Sequence, residues 1–555
     1  GLNVFVNRND RIPLRPFNDN HRETTKDGIS SKLDQYSQNR FQRHSTQAGM
    51  GLDWKVNKFN TLTSSFSYNT YWQQFENDAT QYFQSDIAAN SPIIETHYLT
   101  KNKFSSEAID LSLTYKKTFE KEEQELDIKL TNSNSNNNTK AYTLQSLMPK
   151  DSLIFGNDNY NPGTNRLTEM SLDYTQPFAK DLQLGMGGKA SLQKITGQSY
   201  INSYDADTKS YYFNNLLSNQ LSYEQKIWAA YSEITVPLGK EIQLKSGVRY
   251  ERTDINAQYS NAQNNVKVPS YNTFIPSIFL SRKMANKQSI RLSYSKRIQR
   301  PEYEALNPFY NTTDPKNIST GNPFLSPEIA HRFEVTYTKE NKIGSFTITG
   351  FYRINDDDVQ PFVIYYPKLK VGDTTYENVS LSQRLNAGEE FNTGADISGD
   401  LRITPKFNIR GSMFFFHRKT VNKIDAGLSR NSFNYRMNIN ATYQFTNTFL
   451  AEFFSNFNGP RNEAQGRYPS FTTYNIAVRK QFWNKKGSFA ITTTNIFSKY
   501  LSQMTVLEGP GFKSYGTRNI PFQAIGVNFT WKFGKMEFKK EKRSDESEGG
   551  GGMGM

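Results

Sequence analysis

Residues 435–445 read Tyr-Arg-Met-Asn-Ile-Asn-Ala-Thr-Tyr-Gln-Phe, and apolar and polar side chains alternate along the whole stretch. A β-strand turns successive side chains to opposite faces, so this stretch predicts a strand with one apolar and one polar face. The same alternation returns at residues 126–130, 289–294 and 525–533. It recurs about twenty times, whereas a soluble sandwich has roughly seven to nine strands. The pattern therefore predicts an all-β protein, a large transmembrane antiparallel β-barrel with lipid outside and water inside.

The connections between the predicted strands alternate in length. Short polar turns are expected at residues 56–59, 177–180, 237–240, 284–287, 341–344, 405–406, 446–448 and 484–487. Long connections are expected near 9–45, 72–104, 133–163, 195–220, 300–328, 357–386 and 499–519. Outer-membrane barrels have short periplasmic turns on one rim and long external loops on the other. We therefore predict a barrel over residues 1–533 with about 20 strands visible, and the Asn-rich tract 132–138 as a loop tip.

Composition agrees with a barrel and excludes several other classes of protein. Only 36% of the residues are hydrophobic, and no run approaches the ~18 apolar residues that a membrane helix needs. The chain has no cysteine, which excludes disulfides and thiol chemistry. The formal net charge is +14, but the basic residues are scattered, so anionic lipid or solutes are favoured over nucleic acid. Residues 534–555 are charged and Gly-rich, and we expect a disordered periplasmic tail there.

The segment between two predicted strands at 288–299 and 329–340 carries a distinctive motif. It contains Ser-Tyr-Ser-Lys-Arg at 293–297, Arg-Pro at 300–301, Leu-Asn-Pro-Phe at 306–309 and Gly-Asn-Pro-Phe-Leu at 321–325, followed by Pro327 and Glu328. This pattern resembles the TonB-dependent-receptor-like outer-membrane β-barrel family. The resemblance implies an integral multi-pass barrel in the outer membrane of a Gram-negative bacterium.

The resemblance also sets expectations about the parts of the protein that are not visible in the sequence. Barrels of that family have 22 strands and an N-terminal plug domain, whereas no plug and no TonB box are visible here. One further hairpin before Leu2–Asn9 would bring the count to 22 in the complete protein. We therefore expect the chain to lack its natural beginning, with a plug domain either upstream or absent.

Two functions follow from the resemblance. The first is energised uptake of a large, scarce nutrient, with TonB contacted through the missing N-terminal region and a surface lipoprotein as a further partner. The alternative is a non-transporting barrel subunit of a multi-protein outer-membrane complex for secretion, uptake or barrel assembly. Sequence upstream of Gly1 discriminates between them, because a plug with a TonB box favours transport.

The motif segment itself is interpreted as a structural element of the external rim rather than a ligand contact. Its prolines stiffen a connection that is incompatible with a strand ladder, and asparagines before prolines favour turns. The residues that carry the motif are Arg300, Pro301, Asn307, Pro308, Phe309, Gly321, Asn322, Pro323, Pro327 and Glu328.

Six arginines fall on the polar faces of predicted strands and are expected to line the lumen. They are Arg249, Arg291, Arg297, Arg332, Arg436 and Arg479. One interpretation is an electropositive lining that contacts an anionic solute or a plug. The other is ordinary lumen polarity, balanced by acidic residues such as Glu169, Asp173, Glu334 and Glu452.

No residue pattern in the chain predicts covalent chemistry. The five histidines have no metal-like spacing, and neither a nucleophile elbow nor a phosphate loop occurs. The run Asp356-Asp357-Asp358 has the oxygen ligands for calcium, but a solvated charge run is the favoured interpretation. We therefore predict a protein that is not an enzyme and has no metal and no cofactor.

Overall fold

The computed structural model describes residues 1–26, 28–260, 270–312, 314–424, 426–463, 465–509 and 511–531. Besides strands, these described residues contain one short helix, α1 (Tyr303–Leu306), and a 3-10 turn at Ala426–Leu428. The strands are β1 (Leu2–Leu14), β2 (Phe17–Lys26), β3 (Ile29–Lys55), β4 (Asn60–Gln84), β5 (Ile93–Thr118), β6 (Glu125–Leu147), β7 (Ser152–Ala179), β8 (Leu182–Asp205), β9 (Ser210–Phe213), β10 (Asn219–Pro237), β11 (Ile242–Tyr259), β12 (Tyr271–Met284), β13 (Gln288–Gln299), β14 (Asn317–Ser319), β15 (Glu328–Asn341), β16 (Gly344–Val371), β17 (Thr374–Thr404), β18 (Phe407–Asn422), β19 (Arg430–Thr446), β20 (Phe449–Asn458), β21 (Arg461–Glu463), β22 (Gly466–Tyr468), β23 (Phe471–Phe482), β24 (Gly487–Thr494), β25 (Tyr500–Gly509), β26 (Phe512–Pro521) and β27 (Ala524–Trp531).

These 27 strands form one sheet, which confirms the predicted all-β fold. The number of strands is higher than the predicted twenty. Seven short or displaced strands, β2, β9, β14, β21, β22, β25 and β26, lie in the long connections. The other twenty form the wall, where each pairs antiparallel with its neighbours in chain order. The extra strands escape prediction because they lack the alternation of a wall with one apolar face.

The wall is not closed between its first and last strands. Within the described residues, β1 pairs only with β3, and β27 pairs only with β24. At the rim of the long connections, β2 pairs with both β3 and β26. Strands from two connections therefore link the two sides of the wall above the gap.

Several expected loops are strands that extend the wall past its apolar band. The tract Asn132–Asn138, predicted as a loop tip, lies in the middle of β6, which pairs with β5 and β7 along its length. The prediction was wrong because asparagine is poorly represented in strands on average. Here pairing with β5 on one side and β7 on the other holds the tract in the ladder despite its composition.

The two faces of the wall differ as expected for a membrane barrel. On β19, Met437, Tyr443 and Phe445 are 38%, 43% and 47% exposed on the outer face. Ser432 and Asn434, on the opposite parity of the same strand, are buried. Large apolar side chains are exposed on the outer face around the wall, and the buried apolar clusters lie at the mouth instead. None of the helices in the described residues has the length and apolar character needed to cross a membrane.

The predicted last strand and tail extend beyond the described part of the chain. Strand β27 is described as far as Trp531. Residues 532 and 533 of the predicted strand, and the predicted tail 534–555, lie outside the described residues.

A pair of neighbouring arginine substitutions tests which face meets lipid. Ile439→Arg places a charge on the outer face and is expected to destabilise the barrel by ~2–4 kcal/mol. Asn438→Arg faces inward, opposite Ser412 and Asn456, and should change stability by less than about 1 kcal/mol. Urea unfolding in lipid vesicles measures both, and equal losses would contradict the assignment of the faces.

Candidate functional site at the mouth of the barrel

The motif segment, defined as residues 300–327, begins with an arginine that is tied to the inner wall. The Arg300 guanidinium donates hydrogen bonds to the Glu251 carboxylate at 2.5 Å and to the Thr253 hydroxyl at 3.0 Å, both on β11. Buried Glu251 also accepts a hydrogen bond from Arg249 at 2.5 Å. A charged carboxylate that receives two guanidinium groups is a strong anchor. The segment therefore turns inward at its first residue.

Apolar packing holds the segment against the inner face of the wall. Leu306, at the end of α1, is 2% exposed and packs with Leu221, Tyr223 and Tyr259 of β10 and β11. The Tyr259 ring also meets the Phe309 ring edge-on at 5.7 Å. Full burial of such side chains contributes about 1.5–3 kcal/mol each, so this contact closes the mouth firmly on one side.

Gly321 fixes the internal shape of the segment. Its amide donates to the Asn307 carbonyl at 2.8 Å, and the next amide, that of Asn322, donates to the Ala305 carbonyl at 2.6 Å. A Cβ atom at Gly321 would clash with the Asn307 carbonyl oxygen and lie 2.7 Å from the Ala305 carbonyl oxygen. Only glycine allows these two parts of the motif to approach so closely.

The remaining motif residues contact protein groups. The Asn307 side chain accepts from the Phe309 amide, and the Pro308 carbonyl accepts from Thr320. The Asn322 side chain donates to the Arg384 carbonyl on β17. Buried Glu328 accepts from the Val359 amide at 2.8 Å. Pro301, Pro323 and Pro327 are all half-buried. These contacts suit a structural role for the motif, which stays a prediction.

A second element covers the mouth beside the motif segment. This upper hairpin, residues 357–387, is the part of β16 and β17 that continues past the wall. Strand β14 of the motif segment pairs parallel with its residues 380–382. Ile318 in β14 is 0% exposed and packs with Val379 and Leu381 of the hairpin and with Ile201 of β8. We call the motif segment and the upper hairpin together the lid.

The upper hairpin bends away from the wall at a β-bulge. The ladder register shifts on both sides of Asp358, and Asp357 has φ +57°. The Asp358 carboxylate is buried and accepts a hydrogen bond from Gln360. The run Asp356–Asp358 therefore serves as the bend of the lid. In the described part of the chain, no group of three or more His, Cys, Asp or Glu side chains is arranged for a metal ion.

Buried Arg22 joins the lid to β2, the strand that bridges the gap in the wall. Arg22 is 5% exposed and donates to the Ser380 hydroxyl at 2.7 Å and the Asn378 carbonyl at 2.9 Å. It also donates to the Lys316 carbonyl at 3.1 Å. If the lid moved away only in part, the Arg22 guanidinium would stay buried and lose some of its hydrogen bonds, which is unfavourable. This contact therefore favours a fully docked lid over a partly docked one.

Gln465 provides a third attachment, close to β22. Its side chain accepts from the Val363 amide at 2.6 Å and donates to the Val363 carbonyl at 2.9 Å. The lid thus contacts the wall and the connections at three separate places around the rim. Its contacts reach from β8, β10 and β11 on one side to β2 and Gln465 on the other.

A second cation lies beside Arg22 within the lid. The Lys316 ammonium donates to the Glu377 carbonyl at 2.7 Å and lies 5.4 Å from the centre of the Phe83 ring. Burial, with a further contribution from the charge of Arg22, lowers the pKa of Lys316 to about 8. Docking of the lid therefore opposes protonation of this side chain.

Below the lid, arginines lie side by side on the inner face of the wall. One ladder row contains Arg332 of β15, Arg353 of β16, Asn392 of β17 and Arg418 of β18. We call Arg332, Arg353 and Arg418 the arginine row. Arg332 pairs with Glu334, and Arg418 pairs with Glu390. Arg353 forms no ion pair with any carboxylate in the described ranges. Arg332 and Arg353 are directly opposite, which is unfavourable for like charges, and the charges of Glu334 and Glu390 offset part of this repulsion. Three guanidinium groups thus face two carboxylates, and the excess positive charge favours an anion.

The six arginines predicted to line the lumen all lie on the face opposite the exposed apolar side chains. Arg297 is diagonal to Arg332 and adjoins the arginine row. The others are spread around the wall. Arg436 lies over the Phe414 ring at 4.9 Å, Arg249 pairs with Glu251, Arg479 pairs with Glu452 at 3.0 Å, and Arg291 is exposed on β13.

Sequence reasoning missed Arg353 and Arg418 in the row, and it missed Arg22 of β2, which contacts the lid. Arg353 and Arg418 occupy polar positions of alternating strands, so the signal that selected Arg332 was present for them too. Arg22 had no such signal, because its partners lie near residues 316 and 380 and only the folded chain brings them together.

Comparison with known proteins places this geometry among outer-membrane barrels. The model described as the outer membrane protein beta-barrel family matches residues 117–531. The comparison with curated protein sequences returned no match. The copper transporter OprC is similar in structure, with a TM-score of 0.55 and 12% identity over 92% of this chain and 80% of that chain. The ferripyoverdine receptor of the Pseudomonas aeruginosa outer membrane has a TM-score of 0.56 and 12% identity over 92% and 71%. At such identities the likeness shows the fold.

A valine at Gly321 should undock the lid. The chain has no cysteine, so Ile318→Cys provides a single thiol at a fully buried lid position. We expect this thiol to resist a membrane-impermeant maleimide, and to react at least tenfold faster when Gly321→Val is added. Gly197→Val is the matched control, since a Cβ there meets no atom within 4 Å. Equal rates in both backgrounds would contradict the packing described for Gly321.

The pKa of Lys316 predicts how lid docking depends on pH. The free side chain has a pKa of 10.5 and the docked one about 8, so docking carries its full penalty below pH 8. The free-energy cost of docking a protonated Lys316 decreases as the pH rises from about 8 towards 10.5, because the undocked side chain also loses its proton over that range. The docked lid is therefore stabilised as the pH rises. The measured quantity is the rate of maleimide labelling of the Ile318→Cys thiol divided by the rate for an exposed Ala206→Cys control. This ratio should fall as the pH rises from about 8 towards 10.5. Lys316→Met should flatten the trend, and a ratio that rises with pH would refute it.

Proposed function

The chain belongs to the outer membrane protein β-barrel family, and from this membership we propose that it is an uptake receptor for an anionic nutrient. In this proposal the solute binds at the lid on the external rim and enters the lumen when the lid is displaced. Energy for the displacement is passed from the inner membrane through TonB. The structurally similar proteins are described as a copper transporter and a ferripyoverdine receptor, which supports transport as the class of function.

The observation that carries the proposal is the arginine row beneath the lid. Arg353 stands between Arg332 and Arg418 on the inner face without an ion pair in the described residues. An anionic solute would offset the repulsion within the row and gain charge-assisted hydrogen bonds from planar guanidinium groups. A neutral solute would leave the repulsion in place. The row therefore favours carboxylates, phosphates or anionic metal chelates.

The lid explains why such a receptor needs an energy source. Docking buries two apolar clusters, centred on Leu306 and Ile318, as well as the Arg22 guanidinium. Opening exposes the apolar surface to water and breaks the hydrogen bonds of Arg22. Ligand binding at the rim and force from the periplasmic side are two ways to offset that cost. A surface lipoprotein above the rim would be a further way to hold the lid open.

Replacement of the unpaired arginine tests the proposed substrate class. Cells that carry full-length protein with Arg353→Gln should lose at least tenfold in uptake of anionic metal chelates, and little in uptake of neutral solutes of similar size. Arg410→Gln is the matched control, because Arg410 pairs with Asp400 at the short-turn rim. A protonophore should abolish the uptake that remains.

Three outcomes would overturn the proposal. Uptake that is equal in the two variants would show that the arginine row does not act on the solute. Uptake that persists with the protonophore would remove the energised step. Purification of the protein only as a fixed member of a larger complex, with no effect of its loss on uptake, would favour the barrel-subunit function instead.

A further inference from the structure

An apolar groove of about 470 Å³ lies on the outer face of β12, β13, β15 and β16. Leu292 and Val335 line one part of it, and Phe333 and Tyr352 line the part nearer the mouth. Gly350 forms the floor, and a Cβ atom built there would meet nothing within 4 Å. The space above this glycine is thus open, whereas the neighbouring outward positions carry large side chains. Its volume is in the range of ligand sites.

An aromatic ladder forms the upper side of the groove. The Tyr294 and Phe333 rings are 4.9 Å apart, and the Phe333 and Tyr352 rings are 6.4 Å apart and nearly parallel. Rings held in this way present flat, rigid, apolar surfaces. A flexible hydrocarbon chain fits such a surface better than a polar ligand does, because the side chains on this face offer few hydrogen-bonding groups.

The groove ends towards the mouth at two basic side chains. Lys296 of β13 stands directly opposite His331 of β15, one outward position beyond Tyr294 and Phe333. His331 Nδ1 is hydrogen-bonded to the Tyr294 hydroxyl at 3.0 Å, and its Nε2 lies 3.8 Å from Asp356. Lys296 makes no ion pair with the described residues. A cation is thus available at the end of an apolar groove.

The height of this end matches a membrane surface. Eight residues separate His331 from Lys339 at the short-turn end of β15, which is ~27 Å along a strand. With the usual tilt of ~35–45°, that distance is roughly 20 Å across the membrane, close to the ~25 Å apolar band of such barrels. Lys296 and His331 therefore lie near the extracellular limit of the band. The groove runs inward from them to about the middle of the band, where Val335 and Gly350 lie opposite each other.

We propose that this groove binds one acyl chain of lipid A, with a lipid A phosphate at Lys296 and His331. The acyl chain fills the space above Gly350 and lies along the aromatic ladder. The phosphate receives a charge-assisted hydrogen bond from the Lys296 ammonium. The site is separate from the lid and the lumen, so it does not depend on the proposed uptake.

Native mass spectrometry of the full-length barrel tests the site, with lipid A added to detergent micelles as the probe. The unmodified protein should retain one lipid A after a delipidating wash. Gly350→Leu fills the groove and should reduce retention at least tenfold, and Lys296→Gln should reduce it several-fold. Gly188→Leu is the matched control on the outer face of β8, where an added Cβ makes only an ordinary contact at 3.5 Å.

The same experiment separates lipid A from other lipids. Dephosphorylated lipid A and phosphatidylglycerol should both be retained less than lipid A. Equal retention of lipid A by Gly350→Leu and Gly188→Leu would overturn the proposal, as would preference for phosphatidylglycerol or an absence of retained lipid in the unmodified protein. Uptake measurements do not enter this test, so failure of the uptake proposal leaves it intact.

Discussion

The structure depends on the requirement that every backbone amide and carbonyl within a membrane be hydrogen-bonded by the protein itself. Lipid offers no hydrogen-bonding partner, so a strand in the band needs a neighbour on each side. Except at the outer edges of β1 and β27, the wall strands meet this requirement by antiparallel pairing in chain order. This arrangement fixes the side-chain pattern as well, since each ladder alternates between lipid and lumen. The wall therefore has an apolar exterior and a polar interior, and its apolar residues are not available to form a core.

The buried core lies at the mouth as a consequence. The lid supplies the apolar side chains of this core, because Leu306 and Ile318 pack against inward-facing side chains of β8, β10 and β11. Polar contacts from Arg300, Arg22 and Gln465 then set the position of the lid on three sides. The same elements that stabilise the rim also determine access to the arginine row. Stability and gating are thus carried by the same residues.

The sequence predicts the wall well and the mouth poorly, for a physical reason. Alternation at 435–445 and short polar turns are local signals, and they locate the wall strands. Residues 132–138 carry no apolar alternation even though they form a regular ladder, which neighbouring strands hold on both sides. The lid depends on contacts between residues hundreds of positions apart, such as Arg22 with Ser380. The arginine row is predictable in part. The alternation along each strand predicts that its members face inward, but only the strand register shows that Arg332 and Arg353 are directly opposite.

The motif segment is attached to the wall at both ends, through β13 before it and β15 after it. A displaced segment therefore cannot diffuse away, and its return is an intramolecular event whose rate does not depend on protein concentration. Short flexible connections give effective concentrations on the order of millimolar, and loops of about ten residues close within roughly 10–100 ns. Any open state is consequently short-lived unless something occupies the space that the segment left. A solute that enters the mouth would thus also delay closure, because it occupies the space to which the segment must return.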